Sequence, residues 1–399
     1  MFSLGSQQTV ELGLSTCYDP IASEKYFGQR PWLVWTRLVE VVSSGVGFVA
    51  WSGLTAVSHS WAERGKALRN LFTSLGPTFV KLGQTLATRP DLVGEDVSEE
   101  LTKLQTSSPP FDDETAKRVL EAELGMAIDE VFSHLDGRPV AAASLGQVYF
   151  GVIAEDGTQV AVKVQRPNLL ESITLDIYIL RFLLSVVRSA AGINTDLRLL
   201  VDEVAEGLCG ELDYRREAAQ AREFSAAHRH LGFVTTPEVV HRLTTKRVLT
   251  TKWVHGFSPT ELLRVANSNS TSADDLQAAA MAKRAVLNLV DMGIECSLCQ
   301  LLDTGVMHAD PHPGNIMLSA GDGSLVYLDF GLLAYVPPKT SEAMMSLLVH
   351  LVLRDWRSFA TDLDAMDLLK PTTDREALAY DLGEEFSNTM SASRASFDF

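Results

Sequence analysis

The feature that most restricts the fold of this chain is a pair of short polar motifs in its C-terminal third. Residues 308–315 read HADPHPGN, and residues 329–331 read DFG. Asp310 and Asn315 lie five residues apart, and Asp329 follows 14 residues after Asn315. A carboxylate and an amide at the first spacing are typical of a loop that transfers a phosphoryl group, with a second carboxylate downstream to hold a metal ion.

The segment between the two motifs predicts how they come together. Residues 325–328 (LVYL) have the pattern of a strand, so a hairpin would present Asn315 and Asp329 to one Mg²⁺ site. His312 is expected to orient the loop through a backbone hydrogen bond, since Asp310 is the better candidate base. Either motif alone is equally typical of ordinary turns, whereas both in this order favour phosphoryl transfer.

A lysine upstream adds to this pattern. Residues 160–163 read VAVK and end a predicted hairpin whose turn is residues 155–157. The pattern is typical of the strand that carries a nucleotide-binding lysine, here Lys163, 147 residues before Asp310. A lysine at the end of an apolar strand can also simply extend into solvent. If Lys163 binds phosphate, its carboxylate partner is expected on the helix predicted at 197–228.

The residues where a kinase would carry a glycine-rich loop are mostly alanine. Residues 141–147 read AAASLGQ, in which Gly146 is the single glycine. Because Ala141, Ala142 and Ala143 restrict the backbone, they limit how closely it can approach a phosphate group. The sequence therefore predicts a phosphate contact that differs from that of an ordinary kinase.

Composition excludes several classes of protein. With 46% hydrophobic and 21% charged residues among 399, the chain is globular rather than disordered or collagen-like. A net charge of −17 argues against a dedicated nucleic-acid binder. Four cysteines (Cys17, Cys209, Cys296, Cys299) in so long a chain indicate a reducing compartment. The last two form a C-x-x-C in an apolar helical context, which favours buried packing over a metal or redox site.

Two apolar stretches and the two ends bear on membrane contact and targeting. Residues 41–62 carry no charge but are rich in serine, so a half-buried helix is expected rather than a span. Residues 177–187 are expected to form a core helix. The N-terminus lacks the pattern of a secretory signal and the arginine of a transit peptide. The chain is expected to continue past Phe399, since neither a cap nor a polar tail closes it.

Changes of pattern along the chain predict three parts and an α+β fold with the two-lobed plan of a kinase. Residues 1–110 form a helical extension ended by Pro109-Pro110, residues 111–256 a sheet-containing lobe, and residues 257–399 a mainly helical lobe. The elements expected in the middle part are a helix at 112–130, a small sheet from 140, helices at 168–190 and 197–228, and strands at 237–241 and 246–254.

Five ordered motifs together resemble the UbiB family, the aarF-domain-containing atypical kinases. They are K-x-G-Q at residues 81–84, the alanine-rich loop at 141–146, E-x-D at 211–213, and the two motifs HADPHPGN and DFG. The resemblance covers about residues 18–370. It implies a protein-kinase-like fold with an N-terminal helical extension that carries K-x-G-Q. Residues 18–38 (YDPIASEKYFGQRPWLVWTRL) resemble the cyanobacterial and plastid branch of this family.

The resemblance also implies roles for individual residues. Lys163 would be the nucleotide lysine, Glu217 its partner on the helix, and Asp310 the catalytic carboxylate. Asn315 and Asp329 would hold Mg²⁺. The remaining nucleotide contacts would come from Ala141, Ala142, Ala143, Ser144 and Gly146 in the loop and from Lys252 and Val254 in the hinge. The family more often carries an acid at the position of Lys252, which leaves the choice between ATP and ADP open.

In the family, the K-x-G-Q helix lies over the active site as a plug. Lys81 would then pair with Glu211 and Asp213, and Gln84 would face the nucleotide. Asp213 and Glu217, four residues apart on one predicted helix, would both point into the cleft. Such a plug would occlude a peptide substrate, and a partner or a membrane could displace it.

The function implied is that of an ATP- and Mg²⁺-dependent atypical kinase or ATPase that supports prenylquinone or isoprenoid-lipid metabolism. A true protein kinase acting in trans and a nucleotide-binding pseudokinase switch remain alternatives. The partners implied are a lipid, a prenylquinone or a membrane surface, and proteins of quinone metabolism, with no nucleic acid. The compartment implied is the chloroplast, at plastoglobules or thylakoids, or alternatively the cytoplasm or membrane surface of a cyanobacterium.

Overall fold

The computed structural model describes residues 19–54, 60–105, 110–191, 198–268 and 272–393. The helices of these residues are α1 (Pro20–Gly28), α2 (Pro31–Leu54), α3 (Trp61–Leu75), α4 (Pro77–Ala87), α5 (Pro90–Val93), α6 (Glu95–Thr102), α7 (Asp113–Leu124), α8 (Ile128–Val131), α9 (Leu169–Ala191), α10 (Arg198–Glu211), α11 (Tyr214–His228), α12 (Pro259–Ala266), α13 (Ala273–Cys299), α14 (Pro338–Leu353), α15 (Trp356–Ala365) and α16 (Arg375–Ser393). The strands are β1 (Phe132–Leu135), β2 (Ala141–Ala142), β3 (Gly146–Ile153), β4 (Gln159–Gln165), β5 (Val234–Thr235), β6 (Val248–Lys252), β7 (Gly256–Phe257), β8 (Val306–His308), β9 (Ile316–Ser319), β10 (Leu325–Tyr327) and β11 (Leu333–Tyr335).

The described residues form two compact units of mixed helix and strand, which confirms the predicted α+β class. The first unit takes the described residues up to Ala221, together with Pro237–His255 and Asp329–Leu332. The second takes Arg222–Thr236, Gly256–Leu328 and the described residues from Leu333 onward. The expected helical extension and sheet-containing lobe therefore share one unit.

An antiparallel sheet with strand order β1-β3-β4-β6 is the centre of the first unit, and β2 adds to it by pairing with β3. Val160, Val162 and Val164 alternate along β4 and are completely buried, as expected for one face of a strand. Helix α7 packs against β4. The helix expected at 112–130 ends earlier, because Asp112 caps its start and Gly125, at φ +69°, ends it in the left-handed conformation.

Helices α3 to α6 of the first unit enclose an apolar core that includes Phe72, Phe79 and Leu101. Gly83, the glycine of K-x-G-Q, lies at a point of close packing. A Cβ atom at this residue would lie 2.7 Å from Phe72 Cδ2 and 2.5 Å from Leu104 Cδ1. The close approach of these side chains therefore favours glycine at this position of the motif.

The second unit contains a sheet of order β5-β10-β9-β7 and the separate pair β11-β8. Strands β9 and β10 form the antiparallel hairpin that was predicted between the two polar motifs. The backbone N–H of Leu328 donates to the Asn315 carbonyl at 2.8 Å and closes the base of this hairpin. Helices α12 and α13 pack together, as do α14, α15 and α16 along the chain.

Several predicted elements differ in extent. The helix expected at 197–228 is two helices, because the helical conformation ends at Glu211 and begins again at Tyr214. The strand expected at 237–241 is absent from the described residues: Val239 makes an isolated pairing with Thr251. Pro237 cannot donate to a ladder, and a 3₁₀ turn follows directly after Val240.

The apolar stretches differ in burial. Residues 177–187 lie within α9, and Ile177 and Ile179, on different sides of this helix, are each 1% exposed, whereas Phe182 is 55% exposed. The core expectation therefore holds for Ile177 and Ile179 but not for Phe182. The half-buried helix expected over 41–62 is confirmed only in part on α2: Val41 is 7% exposed and packs in a core cluster, whereas Val46 and Val49 are 62% and 69% exposed.

Two helices, over Pro31–Gly53 and Asp274–Thr304, are long and apolar enough to cross a membrane by length and composition. The expectations about the N-terminal signal, the Pro109 boundary and continuation past Phe399 concern residues 1–18, 106–109 and 394–399. These residues lie outside the described ranges, as do residues 55–59 of the uncharged stretch.

Candidate functional site

A buried lysine bound by two carboxylates forms the centre of the candidate site in the first unit. Lys163 Nζ lies 2.7 and 3.0 Å from the two carboxylate oxygens of Glu217 and 2.9 Å from Asp329 Oδ2. The structure therefore brings together three of the residues that the sequence assigned to nucleotide and metal binding. The alternative of a lysine that extends into solvent is wrong.

Strand register and a helix start position these three groups. Lys163 pairs with Val148 on one side and with Leu249 on the other, so the central strand β4 holds its backbone firmly. Glu217 lies in the first turn of α11, directly after the interruption between α10 and α11. Asp329 Oδ1 accepts the backbone N–H of Gly331 at 2.9 Å, which fixes the carboxylate.

Burial and opposite charge shift the pKa values of the three groups in the cluster in different directions. Burial raises the pKa of Glu217 to about 7, although the Lys163 ammonium group lowers it in part. Lys163 lowers the pKa of Asp329 well below its usual range, against the effect of burial. The two carboxylates raise the pKa of Lys163 well above its ordinary value despite its burial. Lys163 and Asp329 are therefore charged at neutral pH, whereas Glu217 is close to its titration point.

A second lysine and a third carboxylate adjoin the cluster. Lys81 Nζ of the K-x-G-Q motif lies 2.6 Å from Glu211 Oε1 of the E-x-D motif. Burial raises the pKa of Glu211, and the charge of Asp329 acts in the same direction. Three carboxylates therefore face two ammonium groups in this region, Lys81 and Lys163.

Two residues of these motifs have other partners than expected. Asp213 lies before the first residue of α11, so it does not share a helix face with Glu217 as predicted. It accepts the backbone N–H of Arg215 at 3.1 Å and binds its guanidinium at 2.6 Å. Gln84 Nε2 donates to the Leu104 carbonyl at 3.1 Å, so this amide supports helix packing, and its contact with a nucleotide stays a prediction.

The alanine-rich loop is a tight turn between two paired strands. Ala141 and Ala142 form β2, and the Ala143 N–H donates to the Gly146 carbonyl at 2.8 Å across the turn that contains Ser144. The backbone of the loop is therefore already organised by its own hydrogen bonds.

Gly146 has a packing role that the sequence did not predict. A Cβ atom there would lie 2.6 Å from both the Tyr214 hydroxyl and the Val164 carbonyl oxygen. The Tyr214 ring also lies 5.2 Å from Lys163 Nζ. Its buried hydroxyl has no hydrogen-bond partner among the described residues. Sequence reasoning missed Tyr214, although it directly follows the E-x-D motif.

The two predicted hinge residues lie at the end of β6. Lys252 is exposed and pairs with Glu238 Oε2 at 2.6 Å, so a neighbouring segment supplies an acid beside the hinge. Val254 follows the strand and is half-buried. The nucleotide contacts of Lys252 and Val254 stay predictions.

In the second unit, backbone hydrogen bonds shape the loop that carries Asp310 and Asn315. The Asp310 N–H donates to His308 Nδ1 at 3.2 Å, and the Gly314 N–H donates to His312 Nδ1 at 3.0 Å. Asn315 Nδ2 donates to the Asp310 carbonyl at 3.1 Å. His312 therefore orients the loop as predicted.

A buried polar network behind the loop was missed at the sequence level. Gln300 is 3% exposed, and its Oε1 accepts the backbone N–H of His308 at 2.8 Å. Its Nε2 donates to Cys296 Sγ at 3.1 Å and to the Tyr327 hydroxyl at 3.4 Å. Gln300 lies in a π-helical turn, and nothing in its local sequence marks it as a support for the loop.

The two thiols of the C-x-x-C motif differ. Cys296 is completely buried, as predicted, whereas Cys299 is only half-buried and lies beside polar groups. Burial and the carboxylate of Asp303 raise the pKa of the Cys299 thiol to about 11. The expectation of core packing therefore holds for Cys296 alone.

Comparison with known proteins gives consistent matches over most of the chain. Residues 103–363 match the family model described as the ABC1 atypical kinase-like domain. The chain is 36% identical over 390 residues to ACTIVITY OF BC1 COMPLEX KINASE 3, a chloroplastic protein of Arabidopsis thaliana, covering 96% of this chain and 53% of that protein. A chloroplastic aarF domain-containing protein kinase of Arabidopsis is also 36% identical, over 98% of this chain and 53% of its own. An uncharacterized protein of Synechocystis sp. is 40% identical over 388 residues, covering 96% and 54%.

A solved structure supports the fold. The complex of Rv3197 with erythromycin from Mycobacterium tuberculosis matches with a TM-score of 0.52 and 29% identity, over 77% of this chain and 75% of that one. The predicted kinase-like fold is thereby confirmed. The chain spans about half the length of the three curated relatives named above.

Proposed function

This chain belongs to the ABC1 family of atypical kinase-like proteins, and on that basis we propose that it is an ATP- and Mg²⁺-dependent kinase or ATPase. Its predicted resemblance to aarF-domain kinases of the chloroplast and of cyanobacteria is confirmed. The activity, the acceptor and the metabolic setting are proposals.

The observation that carries the proposal is the contact of Lys163 with both Glu217 and Asp329. In kinases a strand lysine of this type positions the nucleotide phosphates, and a helix glutamate orients the lysine. Here Glu217 is 5% exposed and binds Lys163 Nζ with both oxygens. The ammonium group is therefore held in place before any ligand arrives, which lowers the entropic cost of placing a phosphate against it.

The chemistry of the donor set fits a nucleotide with a hard cation. Asp329 and Asn315 offer carboxylate and amide oxygens, the ligand class that Mg²⁺ prefers. Asn315 Nδ2 already donates to the loop backbone, which leaves Oδ1 as the atom suited to the metal. Bound Mg²⁺ would neutralise phosphate charge, while Asp310 would orient the acceptor and take its proton.

The ion pair between Lys81 and Glu211 supports control by the K-x-G-Q helix. Both side chains are largely buried, at 23% and 14% exposure, so the pair holds α4 against the E-x-D segment beside Asp329. We propose that this helix limits which acceptors reach the site and that a protein acting in trans is not the main acceptor. A small hydrophobic acceptor such as a prenylquinone precursor fits this restriction.

The exposed apolar surface of α2 supports a membrane-proximal setting. Trp32 and Trp35 are 62% and 66% exposed near the start of this helix, and tryptophan is favoured at the boundary between lipid and water. We propose that the protein works at a lipid surface of a chloroplast or a cyanobacterium, such as a plastoglobule or a thylakoid.

The first test is ATP hydrolysis by the purified protein with and without Mg²⁺ and with and without anionic liposomes. The expected result is Mg²⁺-dependent turnover that rises with liposomes and is lost in Asp329→Asn. Asp322→Asn is the matched control, because this exposed aspartate lies in the β9–β10 turn and binds its neighbours Ser319 and Ser324. Turnover that survives in Asp329→Asn would overturn the proposal.

Two further outcomes of the same experiment separate the alternative functions. Nucleotide binding without turnover under every condition would favour a pseudokinase switch. Transfer of phosphate to an added protein, lost in Asp310→Asn, would favour a protein kinase acting in trans.

A further inference from the structure

Three side chains of metal-ligating chemistry meet at one point of the second unit, and the proposed function uses none of them. His230 Nε2 lies 3.4 Å from Cys299 Sγ and 3.4 Å from Asp303 Oδ2. Cys299 Sγ lies 3.8 Å from Asp303 Oδ2. An imidazole nitrogen, a sulfur and a carboxylate oxygen thus face one another within 4.8 Å.

The separation between the imidazole and the carboxylate is long for a hydrogen bond, and all three separations are close to those between ligands of one ion. A nitrogen–oxygen separation of 3.4 Å exceeds the usual hydrogen-bond range of about 2.7–3.2 Å. Around a tetrahedral zinc ion, with bonds of about 2.0–2.3 Å, neighbouring ligand atoms lie about 3.3–3.6 Å apart. The two histidine separations fall within that range, and the sulfur–oxygen separation exceeds it by about 0.2 Å.

We propose that His230, Cys299 and Asp303 form a binding site for a borderline-soft divalent cation of the zinc type, with water as the fourth ligand. The thiol selects against Mg²⁺, which binds oxygen donors, and the imidazole favours zinc over calcium. On binding, Cys299 releases its proton to solvent and coordinates as the thiolate. The side chains of His230 and Asp303 are 51% and 71% exposed, so the ion can enter from solvent.

The cation joins two segments that are distant in sequence. His230 lies in the 3₁₀ turn Arg229–Leu231 after α11, whereas Cys299 ends α13 and Asp303 lies in the π-helical turn Gln300–Thr304. That turn leads directly into β8 and holds the buried network under His308. Bound zinc would therefore stabilise the support of the 308–315 loop as a structural cross-link.

The test is metal binding by the full chain after removal of metal with a chelator. Zinc is titrated in competition with a chromophoric chelator, and Co²⁺ is used as the spectroscopic probe. One equivalent of zinc is expected, and Co²⁺ should give the charge-transfer band of a thiolate ligand. Each of Cys299→Ser, His230→Gln and Asp303→Asn should weaken zinc binding by at least about tenfold. Zinc should also raise the unfolding temperature of the wild type but not of Cys299→Ser.

Two control variants distinguish this site from zinc binding elsewhere on the chain. Cys296→Ser removes the other thiol of the C-x-x-C, and His255→Gln removes an exposed imidazole of the first unit. Both should keep zinc affinity if they remain folded by circular dichroism. The exposed positions of His230 and Asp303 make their variants safe for folding even if Cys299→Ser is not. Zinc affinity unchanged in His230→Gln and Asp303→Asn, no binding by the wild type, or a Co²⁺ spectrum without the thiolate band would each overturn the proposal.

Discussion

The lysine cluster of the first unit and the 308–315 loop of the second hold their acidic groups in opposite ways. In the cluster, side-chain ion pairs of 2.7–3.0 Å fix Glu217 and Asp329 on Lys163. In the loop, backbone N–H groups and histidine rings fix the chain, and Asp310 is only half-buried. One region is organised by charge and burial, the other by turn geometry.

This difference has an energetic consequence. A buried charge that loses its partner cannot regain the solvation it lost on folding, so a change in the cluster affects stability as well as binding. A half-exposed carboxylate whose loop is held by other atoms can lose its charge at little cost to the fold. Stability and activity should therefore be coupled in the cluster and separable in the loop.

The largest effect is expected from Lys163→Met. It leaves Glu217, with its side chain 7% exposed, next to Asp329 with no cation between them, which should cost about 3–5 kcal/mol in the free energy of unfolding. ATP binding should be lost as well. Urea unfolding and nucleotide titration measure both effects. The double variant Lys163→Met/Glu217→Gln should regain part of the stability but none of the ATP binding. If Lys163→Met is as stable as the wild type, stability and activity are not coupled in the lysine cluster.

Asp310→Asn tests whether activity and stability are separable in the 308–315 loop. Loss of a general base should lower ATP turnover or phosphoryl transfer by about 10²–10⁴-fold. The free energy of unfolding should change by no more than about 0.5 kcal/mol, because backbone groups shape this loop. Steady-state kinetics and urea unfolding on the same preparation test it. A loss of stability comparable with that of Lys163→Met would show that the two regions do not differ as described.

Gly146→Ala tests how tightly the alanine-rich loop packs beside the cluster. The new Cβ would meet the Tyr214 hydroxyl and the rigid Val164 carbonyl, and we expect a destabilisation of about 1–3 kcal/mol. Gly207→Ala is the matched control: among the described residues, no atom outside the backbone of its own helix and its chain neighbours lies within 4 Å of its Cβ position, and alanine should stabilise α10 by about 0.5–1 kcal/mol. If both variants change the unfolding temperature equally, Gly146 does not pack closely against Tyr214 and Val164.

The smallest effect is a pH dependence that comes from Glu217. Its pKa of about 7 in the folded state lies above the ordinary value of 4.5, so the folded state holds a proton that the unfolded chain releases. The stabilisation it provides is complete below pH 4.5 and is lost as the pH rises towards 7. Glu217→Gln should remove this pH dependence of the free energy of unfolding. In the wild type its slope is at most about 1.4 kcal/mol per pH unit.

The pH series needs its own control, since other carboxylates titrate in the same range. Glu155→Gln, at an exposed turn residue paired with Arg242, is the control for the loss of a carboxylate elsewhere in the first unit. If Glu217→Gln and the wild type show parallel curves between pH 4.5 and 7, burial does not shift the pKa of Glu217 as described.

Sequence reasoning reached the order of the motifs, the α+β kinase-like class and the β9–β10 hairpin. These follow from local spacing and strand periodicity, which are visible along the chain. It also identified Glu217 as the partner of Lys163, through the resemblance. It failed for the helical position of Asp213, because a two-residue interruption between helices has little local signal, and it did not predict the hydrogen bond from Gln84 to a carbonyl 20 residues away.

Motif spacing and residue type are local properties, so the order of the residues is enough to identify which chemical groups this protein brings to its site. How those groups are charged and held depends on the folded chain. Whether Glu217 is buried, whether Gly146 packs against Tyr214, and whether His230 meets Cys299 depend on contacts between distant segments. Such contacts set desolvation and close packing, and neither quantity can be read from neighbours in sequence.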